Sequence, residues 1–232
     1  MNNKRLLNRI KKMKTIRDWS SNTSINYENP KREIVKLCVI DNDGIDENAL
    51  NNLGYKNTFV MHEFYKVDDI KDYNVILCDI KGVGQKFDRK CQGIAVAENI
   101  KKMYPEKKVI LYSGQNPSDF DENYSNSATI LDGFIEKGES TPKLVSELDK
   151  YCETFWNPVK MWDVIESKMK KKGATNKYIA YMEHLYVRSL IDKKNYMSEY
   201  EKIFEDRNVE IVNIAVKMLS EILKIYINMR VI

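Results

Sequence analysis

The sequence holds little of what interrupts or cross-links a chain. Glycine and proline number nine and five among 232 residues, which excludes collagenous and low-complexity chains. The four cysteines, Cys38, Cys78, Cys91 and Cys152, form no CxxC pair and are too sparse for a disulfide framework. The two histidines, His62 and His184, show no HExxH or triad spacing, so neither a zinc site nor histidine catalysis is indicated. No apolar run approaches the roughly 18 to 20 residues of a membrane span. The N-terminus, MNNKRLLNRIKKMK, is charged with no apolar stretch behind it and does not read as a secretory signal. Together these absences point to a reducing, cytoplasmic compartment.

What is present is an ordinary globular balance, 43% hydrophobic and 31% charged. The net charge of +4 conceals an uneven distribution. Residues 1–34 carry +6, residues 35–157 carry −6 and residues 158–232 carry +4. An acidic middle between two basic flanks suggests three segments.

Within the middle segment, short apolar runs alternate with amphipathic stretches. Val35–Ile40, Thr58–Phe64, Val75–Cys78, Val109–Tyr112 and Thr129–Ile135 are the expected strands. Mostly apolar runs of four to eight residues suit strands buried on both faces of a parallel sheet. Ile94–Met103 has helical spacing of Ile94, Ala97 and Ile100, and Pro105 stops it. Thr141-Pro142 opens a further helix to about Tyr151, with threonine as cap and proline in the first turn. The helices after the first two strands look short. This alternation predicts an α/β fold, a doubly wound five-stranded parallel sheet with right-handed crossovers.

Asn157-Pro158 is the expected boundary. The division is then 1–33, a basic amphipathic helix and linker; 34–157, the α/β domain; and 158–232, an all-α module. The expected helices of that module are Val159–Lys171, Asn176–Asp192, Met197–Glu205 and Val209–Met229. The last is apolar on much of its circumference, which requires burial in a bundle or against a second subunit. In the N-terminal segment Leu6, Ile10, Met13, Ile16 and Trp19 recur at helical spacing among lysines and arginines. Packing on its own protein or on a dimer mate is the expected fate of that stripe; the other readings are an anionic membrane surface, nucleic acid or the acidic face of the middle segment. Bases interleaved with tyrosines in the tail admit nucleic acid, but no helix-turn-helix supports it.

Sites in open parallel sheets form beyond the C-terminal strand ends. The polar residues expected there are Asp41, Asn42 and Asp43 after the first strand and Asp79 after the third. Ser113 follows the fourth and Lys137 the fifth. Clustered carboxylates repel one another and call for a hard divalent cation, with Mg²⁺ the usual partner of phosphate. A carboxylate so neutralised can receive a phosphoryl group, with lysine and serine supporting the phosphoryl oxygens.

The pieces LCVIDND, ILCDIKG, QGIAVAENIKKMYPEKKVILYSG and GFIEKG resemble a response-regulator receiver domain (CheY-like) of two-component signalling. The resemblance covers about half the chain. It implies Asp79 as phosphoacceptor, and Mg²⁺ held by Asp41, Asn42 or Asp43, Asp79 and the backbone carbonyl of Lys81. It implies Ser113 and Lys137 as phosphoryl contacts and Phe134 as the switch aromatic. The implied partner is a histidine kinase or phosphotransfer protein; separately, the apolar last helix admits a homodimer through the C-terminal helices as an alternative to burial in a bundle. The sequence departs from the pattern in four places. Asn42 stands where a second adjacent acid is usual; the loop after Asp79 is long; Gly138 replaces a proline; and the first two helices are short. A receiver-like module without phosphorylation is one alternative. The DNDG at Asp41–Gly44 also resembles the DxDG motif of haloacid-dehalogenase-like phosphatases, with Asp41 as nucleophile and Asp43 as acid/base. That family needs a further strand with an acidic end after the lysine, where residues 138–160 read as helix and break.

Overall fold

A computed structural model describes residues 14–23, 29–86, 88–89, 92–115, 130–201 and 209–228. Five strands form one sheet: β1 (Lys36–Ile40), β2 (Asn57–Met61), β3 (Val75–Asp79), β4 (Lys108–Ser113) and β5 (Gly133–Glu136). All pairings are parallel and the spatial order is β2-β1-β3-β4-β5. The central strands are apolar because helices or loops cover both faces. Every residue of β3 is buried, and all but the first of β1. The order 2-1-3-4-5 is that of the flavodoxin and CheY type of doubly wound sheet, whose sites lie beyond the carboxyl strand ends.

The helices of this unit are α2 (Glu47–Asn52), α3 (Gln92–Met103) and α4 (Thr141–Cys152). Ile94, Val96, Ala97 and Ile100 of α3 are buried in a core shared with Cys38, Cys78 and Val109. The connection from β2 to β3 holds only a 3₁₀ turn, Val67–Ile70. Asp46 caps α2, accepting from the Ala49 amide at 2.9 Å. The cap of α4 is Ser140 rather than Thr141, and the Lys143 and Leu144 amides donate to its carbonyl. Three strands are shorter than their apolar runs suggested, β1 by one residue, since it begins at Lys36 rather than Val35. β2 ends at Met61, not Phe64, because the Phe64 amide donates to the Glu63 carboxylate and the chain turns. β5 begins at Gly133; Thr129 lies outside the described residues.

Contacts divide the chain into two compact units, Pro30–Glu153 and the remainder. The second contains α1 (Ile16–Ser21), α5 (Pro158–Lys171), α6 (Asn176–Asp192), α7 (Ser198–Glu201) and α8 (Val209–Asn228). Thr15 and Asp18 close a capping box on α1. Ile16 and Trp19 are buried, the Ile16 amide donates to Glu183 Oε1 at 3.0 Å, and α1 packs on α5 and α6. The rest of the N-terminal stripe, Leu6, Ile10 and Met13, lies outside the described residues, as do residues 202–208 and Met229. In α8, Ala215, Leu219, Ile222, Leu223 and Tyr226 are buried, and Tyr226 Oη donates to the Thr154 carbonyl at 2.6 Å. Asn157 caps α5 through the Val159 and Lys160 amides. No helix among the described residues is long and apolar enough to cross a membrane.

Candidate functional site: a carboxylate cluster at the sheet edge

Parallel pairing brings the C-terminal ends of β1, β3, β4 and β5 to one edge of the sheet. Asp41 follows β1, Asp79 ends β3, Ser113 ends β4 and Lys137 follows β5. The register sets Asp79 opposite Tyr112 and Ser113 opposite Glu136. Lys137 Nζ reaches Asp79 Oδ2 at 2.9 Å and Asp41 at 2.9 and 3.0 Å. Asp43 Oδ2 lies 3.3 Å from the same nitrogen. Carboxylate oxygens of Asp41, Asp43 and Asp79 fall within 4.8 Å of one another.

The cluster is strongly biased in charge. Asp41 is fully buried, Asp79 nearly so, and Asp43 is exposed. Asp41 Oδ1 accepts the Asp43 and Gly44 amides at 2.9 and 3.2 Å. Burial opposes the charge on Lys137, but hydrogen bonds to Asp79 and Asp41 outweigh it and hold the ammonium above the usual lysine range. Tyr112 is buried beneath, its ring centroid 5.8 Å from Lys137 Nζ. Burial and the Asp41 and Asp79 charges raise its phenol, against the opposing pull of Lys137.

Three carboxylates face one ammonium, and the donor atoms are all oxygen, as a hard divalent cation prefers. Asp41 Oδ2 is buried and accepts no hydrogen bond; its 2.9 Å approach to Lys137 is a charge contact without hydrogen-bond geometry. A buried carboxylate oxygen that accepts no hydrogen bond is costly, and a divalent cation would supply a ligand bond that the lysine contact does not. The cluster is therefore compatible with Mg²⁺. Of the two residues that follow Asp41, Asp43 joins the cluster. Asn42 is exposed and donates from Nδ2 to Asp43 Oδ1 at 3.3 Å.

Ser113 is buried; its Oγ accepts the Gln115 amide at 3.3 Å and its carbonyl the Lys137 amide at 2.8 Å. Phe134 is half-buried on β5 and packs on the apolar core. The Lys81 amide donates to Asp79 Oδ1 at 3.3 Å. His62 stands just beyond β2 rather than within it, exposed, with Nδ1 3.2 Å from the Asp41 carbonyl. After Lys137 the described residues contain helices and no strand, which leaves the phosphatase motif without its further acidic strand end.

Sequence reasoning missed Gly93. The first turn of α3 lies against the end of β3, and the Gly93 amide donates to the Ile80 carbonyl at 3.1 Å. A Cβ on Gly93 would lie 1.8 Å from the Asp79 carbonyl oxygen. Gly93→Ala is therefore expected to cost about 1–3 kcal/mol as helix and strand separate, with Asp79 displaced. Urea denaturation measures the loss; unchanged stability would refute the close approach. Its only sequence signal was its place at the start of an amphipathic run.

The chain matches no protein-family model and no curated protein. Solved structures similar to it include the receiver domain of NtrX from Brucella abortus, at 20% identity and TM-score 0.38, covering 51% of this chain and 98% of that one. A CheY-like receiver protein from Methanospirillum hungatei JF-1 is 19% identical at TM-score 0.38, covering 49% and 90%. Full-length FixJ from B. japonicum is 13% identical at TM-score 0.43, covering 82% and 95%. By its own strand order and all-parallel pairing, the unit Pro30–Glu153 has the doubly wound fold of the flavodoxin and CheY type.

Proposed function

We propose that this protein is a phosphorelay signalling protein that accepts a phosphoryl group on Asp79. The observation that carries the reading is the approach of one ammonium, Lys137 Nζ, to both Asp79 and Asp41 within 3.0 Å. A cation so placed can neutralise charge developing on a phosphoryl group in transfer. Asp41, Asp43, Asp79 and the Lys81 carbonyl are the residues that would hold Mg²⁺, with Asn42 at the rim. When bound, the ion offsets repulsion between the carboxylate and an anionic donor.

In the proposed step an Asp79 carboxylate oxygen attacks phosphorus. An O–P bond forms, and the P–N bond to a donor phosphohistidine breaks. The donor imidazole keeps the electron pair and the product is an acyl phosphate. Lys137 moves its contact from Asp79 Oδ2 to a phosphoryl oxygen, and the Ser113 hydroxyl donates to another. Movement of Ser113 towards that group leaves room for Phe134 to turn inward, which alters the face formed by β5 and α4. The helical unit serves as output or dimerisation module.

Acetyl phosphate with Mg²⁺, followed by peptide mapping, is expected to label Asp79 with one phosphoryl group. Asp79→Asn is expected to carry none; label that persists in Asp79→Asn overturns the reading. A wild-type protein that takes no label and binds no Mg²⁺ is instead an interaction module that keeps the fold without the chemistry.

A further inference from the structure

The loop after β3, Lys81 to Gly84, has three of its amides held by side chains from three different places. The Lys81 amide donates to Asp79 Oδ1 at 3.3 Å, the Gly82 amide to Gln92 Oε1 at 2.8 Å, and the Gly84 amide to Glu63 Oε1 at 3.0 Å. The same Glu63 oxygen accepts the Phe64 amide at 2.9 Å. One carboxylate thus ties the turn after β2 to the loop after β3. The loop in turn lies against Asn42, the residue between Asp41 and Asp43: a Cβ on Gly82, at φ +85°, would fall 2.4 Å from Asn42 Oδ1. Gln92 itself stands at φ +42°, a left-handed backbone unusual for a side chain of its kind. Packing and hydrogen bonds at the start of α3 must hold it there.

We propose that Glu63 and Gln92 are positioning residues that hold the Lys81–Gly84 backbone against the Asp41–Asp43–Asp79 cluster, and so set how tightly the cluster binds a divalent cation. The inference rests on the reading of that cluster as a cation site. Neither residue is offered as a ligand; each acts through backbone amides. Outer partners of this kind commonly control metal affinity by tenfold or more. A residue acting by accepting hydrogen bonds is replaceable by one of equal reach without charge, and Glu63→Gln meets that condition.

The test is calorimetric Mg²⁺ titration of the full chain, with amide exchange followed at Gly82 and Gly84. Glu63→Ala is expected to weaken Mg²⁺ binding about tenfold and to speed exchange at Gly84. Glu63→Gln is expected to restore both. Gln92→Asn, whose shorter side chain tolerates the left-handed backbone but falls short of Gly82, is expected to weaken binding likewise and to speed exchange at Gly82. It serves in place of Glu63→Ala should that variant fail to fold. Wild-type affinity in the Ala and Asn variants overturns the positioning role and leaves the cation site standing. Equal weakening in Glu63→Ala and Glu63→Gln shows that charge matters rather than position, and also overturns it. Absence of Mg²⁺ binding by the wild type overturns the cation-site reading itself, and the positioning role with it.

Discussion

Replacing Lys137 with methionine is expected to lower the stability of the metal-free protein by about 3–5 kcal/mol, the usual cost of leaving a buried charge without its partner. Methionine keeps most of the length and apolar contact of lysine and removes the ammonium. Asp41 is then fully buried, beside Asp79 and Asp43, with no cation among its described contacts. Mg²⁺ is expected to recover much of the loss, because a ligand present at a hundred times its Kd stabilises by about 2.7 kcal/mol. The wild type gains less, since its lysine already occupies the carboxylates. Urea denaturation with and without Mg²⁺ measures both quantities. A Lys137→Met protein as stable as the wild type in chelator would show that the cluster carries no such charge.

The pH dependence follows from the direction of the lysine shift. Lys137 is held above its ordinary value of 10.5 in the folded protein. Its contribution is complete below pH 10.5 and is lost as pH rises through the higher folded value. Wild-type and Lys137→Met stabilities should therefore differ by a constant amount through neutral pH, as far as this lysine is concerned, and converge only in strong alkali.

Asp132→Asn is expected to cost a similar 3–5 kcal/mol, at the opposite edge of the sheet. Asp132 precedes β5 and is nearly buried. Its Oδ2 accepts Lys101 Nζ at 2.6 Å and the Val109 amide at 2.9 Å, and Lys108 Nζ lies 3.5 Å from Oδ1. Lys101 also donates to the Lys107 carbonyl at 2.6 Å. The two partners shift in different senses. Burial alone would raise the Asp132 carboxyl, but Lys101 and Lys108 together hold it below its ordinary value. For Lys101 burial dominates and lowers it; Asp132 and, more weakly, Glu106 oppose that, and the neighbouring Lys108 adds to it. Asparagine removes the charge that both lysines need. Lys108→Gln, which removes the longer contact, is the control and should cost less.

Since the folded carboxyl of Asp132 is depressed, its contribution is present above the unfolded value near 3.8 and is lost as pH falls through the folded value. The wild-type advantage over Asp132→Asn should shrink in acid. The consequence for the proposed activity is indirect. Asp132 ties the last turn of α3 to the start of β5, and Lys137 follows that strand. A loosened β5 would misplace the ammonium that the site depends on.

The sheet was legible because its evidence is local. A strand buried on both faces must be apolar throughout, and VKLCVI, NVILC and KVILY satisfy that within a few residues. Polar residues closing those runs marked the edge where Asp41, Asp79, Ser113 and Lys137 now stand. The edge strands were read less well. β2 and β5 bury fewer of their residues, so hydropathy bounded them loosely, and a hydrogen bond from the Phe64 amide to Glu63 ended the first.

Sequence alone thus determined the central strands of the sheet and which chemical groups crown it, because burial and period are properties of neighbours along the chain. Only the tertiary structure decided that Asp43 rather than Asn42 turns to Lys137, that Gly93 admits the helix to Asp79, and that Glu63 and Gln92 hold a loop distant from them in sequence. Those choices depend on hydrogen bonds and close approaches between segments that meet only after folding, and no local pattern of residues encodes them.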